Sequence, residues 1–131
     1  MSSKQYLNPA GIAAPTGYTH VVTTDAKKLV FISGQVGMDA SGKTEEGLRA
    51  QTVQVFENLK TALAAVGATF DDVVKLTTLI VNYKPEDRAI IREVRAQYLS
   101  ATQPPASTLI GVQGLALPEW LIEIEAIAAV E

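Results

Sequence analysis

The chain has 131 residues, the size of one domain able to bury roughly two-thirds of its unfolded surface. Eleven basic and 14 acidic side chains leave a net charge of −3 and no basic patch, which argues against nucleic acid and anionic membrane as partners. The absence of cysteine excludes disulfides, thiolate nucleophiles and zinc–thiolate sites, and a single histidine, His20, excludes a multi-histidine metal site.

The first 17 residues carry Pro9, Gly11, Pro15 and Gly17 and read as an extended lead-in. They hold no continuous apolar stretch of the signal-peptide kind, and no run in the chain approaches ~20 apolar residues, so the expectation is a cytoplasmic protein without a membrane span. VVTTD (21–25) followed by KLVFISGQV (28–36) predicts a β-hairpin. A polar loop follows over 37–44. The next segment, 44–67, predicts a helix: Thr44 can cap it, Glu45 and Glu46 suit its positive first turn, and Gly67 suits its stop. Leu48, Thr52, Val55, Phe56, Leu59, Leu63 and Val66 recur at helical spacing and predict one buried face.

VVKLTTLIVN (73–82) is β-branched and predicts a strand. Pro85 suits the first position of a second helix, on which Ile90, Ile91, Val94 and Tyr98 make an apolar stripe. ASTLIGVQGL (106–115) and LIEIEAIAAV (121–130) predict two closing strands joined by a bend at 117–119. The order ββαβαββ predicts a single α+β domain over 1–131, with two helices on one face of a mixed sheet. Apolar residues make up 47% and charged residues 19%, so some apolar surface is expected to be covered by another subunit.

GMDASGKT (37–44) fits the phosphate-loop pattern G-x-x-x-x-G-K-[ST], with a strand before it and a helix after it. Such a fold also needs a second strand ending in an acid that holds Mg²⁺, and LTTLIVN ends in the neutral Asn82. Hairpin-like pairs at both ends leave too few parallel crossovers. The preferred reading is a polar turn; nucleotide binding through Gly37–Thr44 is the alternative.

The last strand poses a sharper question. Side chains alternate faces along a strand, so Ile122, Ile124, Ala126 and Ala128 share one face. Glu123 and Glu125 share the other, about 7 Å apart. Two dry, unpaired acids would cost several kcal/mol each, so that face is wet, paired, or part of a pocket. A solvated sheet face and a carboxylate at a subunit cleft both satisfy this. Elsewhere, His20 lies two residues beyond Tyr18 and shares its side of an extended segment, and no G-x-S-x-G turn supports a serine triad. Trp120 reads as an interface or rim residue. GQVG (34–37) lies on a strand without basic surroundings, unlike an RNA-clamping loop.

Together SGQVGMD (33–39), ENLKTALAAVGATFDDVVKLTTLIVN (57–82), PPASTLIGV (104–112) and IEIEAIA (122–128) resemble the Rid/YjgF family of reactive-intermediate imine deaminases. The resemblance covers residues 15–130 in order. It implies a chorismate-mutase-like fold assembled as a homotrimer, with three clefts between subunits that accept small metabolites. It implies no cofactor and no metal. Glu123 matches the acid that positions the hydrolytic water, and Ser33 the serine of the Ser-Gly-Gln turn that continues with Gly34. Tyr18 matches the cleft tyrosine and, on a looser alignment, Arg92 the cleft asparagine. Ser107 stands where the family's Pro-Ala-Arg-Ser segment carries the arginine that holds a substrate carboxylate. The implied reaction is hydrolysis of an enamine, imine or related C=N bond, on a substrate less anionic than an α-imino acid. Ser107 and Thr108 hydroxyls, with Arg92 and Arg95 of the second helix, remain to hold it. A non-catalytic binding module on the same trimer is the alternative.

Overall fold

The structure is a computed structural model in which residues 3–131 are described. Its chain order is β1 (Lys4–Leu7), β2 (Val21–Thr24), β3 (Lys28–Val36), α1 (Leu48–Ala64), β4 (Val73–Val81), α2 (Asp87–Arg95), β5 (Ala106–Val112) and β6 (Ile122–Val130). Four strands form a mixed sheet in the order β3-β6-β4-β5, with β4 and β5 parallel and the other neighbours antiparallel. Both helices cover one face of it. The parallel β4–β5 pair requires a crossover, and α2 supplies it.

The expected hairpin between β2 and β3 does not form. β2 pairs instead with β1, which lies inside the lead-in, from Lys4↔Thr24 to Leu7↔Val21. Two facts explain the exchange. The Asp25 carboxylate accepts from the Ser3 amide at 2.5 Å and the Ser3 hydroxyl at 3.2 Å, tying the end of β2 to β1. β3 is nine residues long and needs a central strand of matching length against the helices; β6, also nine residues, provides it.

The core forms where the expected stripes meet. Ile122, Ile124, Ala126 and Ala128 of β6 and Leu76 and Ile80 of β4 pack under Val55, Phe56, Leu59 and Leu63 of α1 and Ile91 and Val94 of α2. Each large side chain so buried contributes roughly 1.5–3 kcal/mol. Two helix boundaries differ from expectation. α1 begins after Gly47 (φ 88°), with no side-chain cap, and Glu45 and Glu46 precede it. Thr44 instead bridges to Met38 and accepts from the Trp120 indole N–H at 3.3 Å, so it belongs to a loop pinned to the far end of the chain. Pro85 stands two residues ahead of Asp87, in the turn before α2. Val66 lies past the end of α1 and is 44% exposed, because Gly67 (φ 72°) turns the chain away before another helical turn can bury it.

Tyr98 closes the outer edge of this core. Its ring stacks on Phe56 at 5.0 Å and meets Phe70 edge-on at 5.6 Å. Its hydroxyl donates to Glu57 Oε2 at 2.7 Å. Burial first, then the hydrogen bond to Glu57, pushes the phenol pKa up to about 12. The neutral phenol is therefore favoured in the fold. Its contribution is complete below the unfolded value near 10 and disappears as pH rises through about 12. The stability gap between wild type and Tyr98→Phe, measured by urea unfolding, is expected to hold steady up to about pH 10 and to shrink towards pH 12. A gap that does not change across that range refutes the assignment.

Candidate functional site

The uncovered face of the sheet is the one on which the sequence places two acids. Glu123 is half-buried there and Glu125 is exposed. Large apolar side chains surround them: Phe31 is 73% exposed, Leu29 55% and Ile110 43%. β3 carries an irregularity on this face. Ile32 pairs with Ala126 and Gln35 with Ile124, so Ser33 and Gly34 together stand opposite Glu125. A bulge of this kind re-aims side chains next to it. Here it brings the Gly34 backbone flat against Glu123: a Cβ built on Gly34 would lie 1.9 Å from Glu123 Oε2 and 2.8 Å from its Cγ. Only glycine leaves room for the carboxylate in this position. On the same face the Thr108 hydroxyl accepts from Lys75 Nζ at 2.8 Å.

A cavity of about 580 Å³ opens at the other side of β5. The lead-in turn, α2 and β5 build it. Gly17 adopts φ 79°, a left-handed turn that glycine tolerates, and Thr19 locks the turn by donating its hydroxyl to the Pro104 carbonyl at 2.5 Å and its amide to the Pro105 carbonyl at 3.3 Å. Tyr18 is thereby held at the cavity edge, with His20 edge-on to its ring at 5.2 Å and His20 Nε2 2.7 Å from the Ala13 carbonyl. Arg88, Arg92 and Arg95 stand at helical spacing along α2, beside the buried Ile91 and Val94, and all three line the cavity. β5 contributes Ser107 and Leu109.

Arg95 is the innermost of the three. It is half-buried, while Arg92 is exposed. Its Nη2 donates to the Gly17 carbonyl at 3.1 Å, and its Nη1 lies 3.5 Å from Ser107 Oγ. Arg92 Nη2 reaches the Thr16 carbonyl at 3.4 Å. Burial, and then the neighbouring Arg92 cation, lowers the Arg95 pKa from its ordinary value. Among the described residues, no Asp or Glu lines the cavity.

The residues singled out in the sequence thus fall into two groups within one chain. Tyr18, Arg92 and Ser107 meet in the cavity. Glu123, Ser33, Gly34 and Thr108 lie on the uncovered sheet face. Sequence reading offered Arg92 and Arg95 together as groups to hold the substrate; the structure puts both at the cavity and makes Arg95 the more buried of the two. The signal was the 88, 92, 95 spacing, which places three guanidinium groups on one stripe. The loop 37–44 does not present itself to a phosphate. Asp39 Oδ1 accepts from the Ser41 amide at 2.9 Å, the Ser41 hydroxyl at 2.7 Å and the Lys43 amide at 3.0 Å. A carboxylate already occupies the position that an anion would need, and α1 starts only at Leu48. No helix among the described residues is long and apolar enough to cross a membrane.

Residues 9–130 match the protein family described as endoribonuclease L-PSP. The chain belongs to the Rid/YjgF family. Among its relatives, the Rid-family protein YyfB from Yersinia pestis is 43% identical, with a TM-score of 0.89 over 97% of this chain and 98% of that one. Protein DfrA of Myxococcus xanthus is 39% identical over 85% of this chain and 83% of its own length. The 2-iminobutanoate/2-iminopropanoate deaminase of Rattus norvegicus is 35% identical over 92% of this chain and 82% of its own. The two helices on one face of a mixed sheet are the fold shared with the Yersinia pestis Rid-family structure.

Proposed function

We propose that the protein hydrolyses the C=N bond of small imines or enamines, in clefts formed between three copies of the chain. Likeness to the rat 2-iminobutanoate/2-iminopropanoate deaminase supports the reaction class. The observation that carries the reading is Glu123, half-buried and seated on Gly34 at a β-bulge, on a sheet face whose Phe31 is 73% exposed. An apolar sheet face of this kind favours a subunit interface. The cavity and the Glu123 group lie on opposite sides of one chain, and a second copy would bring one against the other. Tyr18 would then close the cleft, and Ser33 with the Gly34 backbone would set the substrate's position.

In this mechanism Glu123 accepts a proton from a water molecule as the water oxygen bonds to the imine carbon. That proton passes to the nitrogen, giving a carbinolamine; the carbinolamine hydroxyl proton is then carried to the same nitrogen as the C–N bond breaks and the C=O bond forms, and ammonia and a carbonyl compound leave. No redox step is involved and no cofactor is needed.

The test is hydrolysis of imines generated in situ from several amino acids. Glu123→Ala is expected to lower the protein-dependent rate by about 10²–10⁴. Equal rates for the two proteins would remove Glu123 from the mechanism. Binding of the corresponding carbonyl acids with no turnover by wild type would leave a small-molecule-binding module. Sedimentation as a monomer would sink the shared cleft.

A further inference from the structure

We infer that Arg95, reaching from α2 to the side of Ser107, is the anion-binding residue of the cavity and holds the carboxylate of a small organic acid. The inference rests on the cleft reading above for its substrate, but not for its geometry. Its starting point is an imbalance. The chain carries a net charge of −3, yet its 580 Å³ cavity is lined by Arg88, Arg92 and Arg95 and, among the described residues, by no acid. The one ion pair found among the described residues, Arg49–Glu93 at 2.7 Å, lies on the surface away from this cavity.

Placing a half-buried guanidinium beside a second one is unfavourable by itself, through lost hydration and like-charge repulsion. Both effects lower the Arg95 pKa. Two backbone carbonyls, of Gly17 and Thr16, receive one N–H from each of Arg95 and Arg92 and hold the two side chains in place. Each guanidinium has five N–H donors; in Arg95 the Gly17 carbonyl takes one and Ser107 Oγ, at 3.5 Å, takes another weakly. The remaining donors of Arg95 point to a planar acceptor that takes two parallel hydrogen bonds, which is what a carboxylate offers. Leu99, Leu109 and Ala96 give the cavity an apolar patch, among polar residues such as Tyr83 and Ser100, that suits a short aliphatic group attached to that carboxylate.

The placement also accounts for Ser107. Its Oγ lies 3.5 Å from Arg95 Nη1, so the Arg95 guanidinium occupies the space next to β5 into which an arginine at position 107 would project. A small side chain at 107 is what admits the guanidinium from α2. The cation has changed its element of origin and kept its place, so the substrate remains an acid. This departs from the less anionic substrate that Ser107 alone suggests.

The experiment is calorimetric titration of the intact protein with 2-oxobutanoate, an unreactive carbonyl counterpart of an imino acid, and with its neutral amide. The acid is expected to bind and the amide to bind at least tenfold more weakly. Arg95→Gln, checked for native circular dichroism and unchanged oligomeric state, is expected to lose at least tenfold in acid affinity with little change for the amide. Arg95→Lys is expected to recover part of it, because the charge returns without the fork. The double variant Arg95→Gln/Ser107→Arg is expected to restore acid binding by returning a guanidinium to the same space from β5. Equal affinity of wild type for acid and amide, unchanged acid affinity in folded Arg95→Gln, or no recovery in a folded double variant would each overturn the proposal. These readouts are independent of turnover. Acid binding that depends on Arg95 in a protein with no hydrolytic activity would overturn the proposed reaction and leave this inference standing.

Discussion

Gly34→Ala is expected to reduce imine hydrolysis as severely as Glu123→Ala, by about 10²–10⁴, while leaving the protein folded. The new methyl group would sit 1.9 Å from Glu123 Oε2, 2.6 Å from its Cδ and 2.8 Å from its Cγ. Carbon atoms need roughly 3.5 Å or more between centres, so the carboxylate must leave. Glu123 is a half-buried side chain that points away from the core, and rotating it aside leaves the core packing intact, at small cost in stability. Its reacting position cannot be kept. Activity should therefore collapse while the unfolding midpoint moves little. The pair of measurements is turnover and urea unfolding on the same preparation. Full activity in Gly34→Ala would mean that the carboxylate works from another position. A large loss of stability would mean that the bulge, rather than the acid, depends on glycine.

The second large effect concerns Gln51, which is 2% exposed in the first turns of α1. Its Nε2 donates to the carbonyls of Glu45 at 3.0 Å and Glu119 at 2.9 Å, and its Oε1 accepts from the Leu121 amide at 2.9 Å. One side chain thereby joins α1, the loop before it and the entry to β6. Gly37 lies so close that a Cβ there would come within 2.5 Å of Gln51 Cβ. Gln51→Leu keeps the volume and removes every one of these hydrogen bonds. An amide and two carbonyls lose their partner, and an unsatisfied buried group costs about 1–3 kcal/mol. We expect a loss of about 3 kcal/mol, allowing for water reaching the loop carbonyls. That is a large share of the 5–15 kcal/mol that about this size of domain commands. Urea unfolding of the two proteins measures it. A loss below about 1 kcal/mol would show that solvent replaces Gln51 at no cost.

Gln51 was not legible as a buried residue. Its spacing lies one place from Thr52 in the apolar stripe, but a glutamine at a helix edge is ordinarily solvated. The approach of Gly37 and of the Leu121 segment, both distant from the helix face in sequence, buries it. Arg95 illustrates the same limit. Its helical position could be read, and its partner could not, because the turn at Gly17 and the start of β5 meet it only through Thr19 and the two buried prolines. The hairpin misreading has a related cause. Two strands separated by a short turn are the local default, and the competing partner of β2 lay in a proline- and glycine-rich segment with weak strand character. By contrast, the two faces of β6 were legible in full: Ile122, Ile124, Ala126 and Ala128 are buried, Glu123 is half-buried and Glu125 exposed.

By itself the sequence determined the helices, the long strands, their apolar faces, and the seating of two carboxylates opposite the core. Those features depend on periodicity within a few neighbours, which any stretch of chain carries with it. The tertiary structure alone decided that β3 pairs with β6, that Gly34 packs on Glu123, and that a guanidinium from α2 fills the place beside Ser107. These contacts are settled by competition among distant segments for the same buried space. A side chain's neighbours across that space are written in no single stretch of residues.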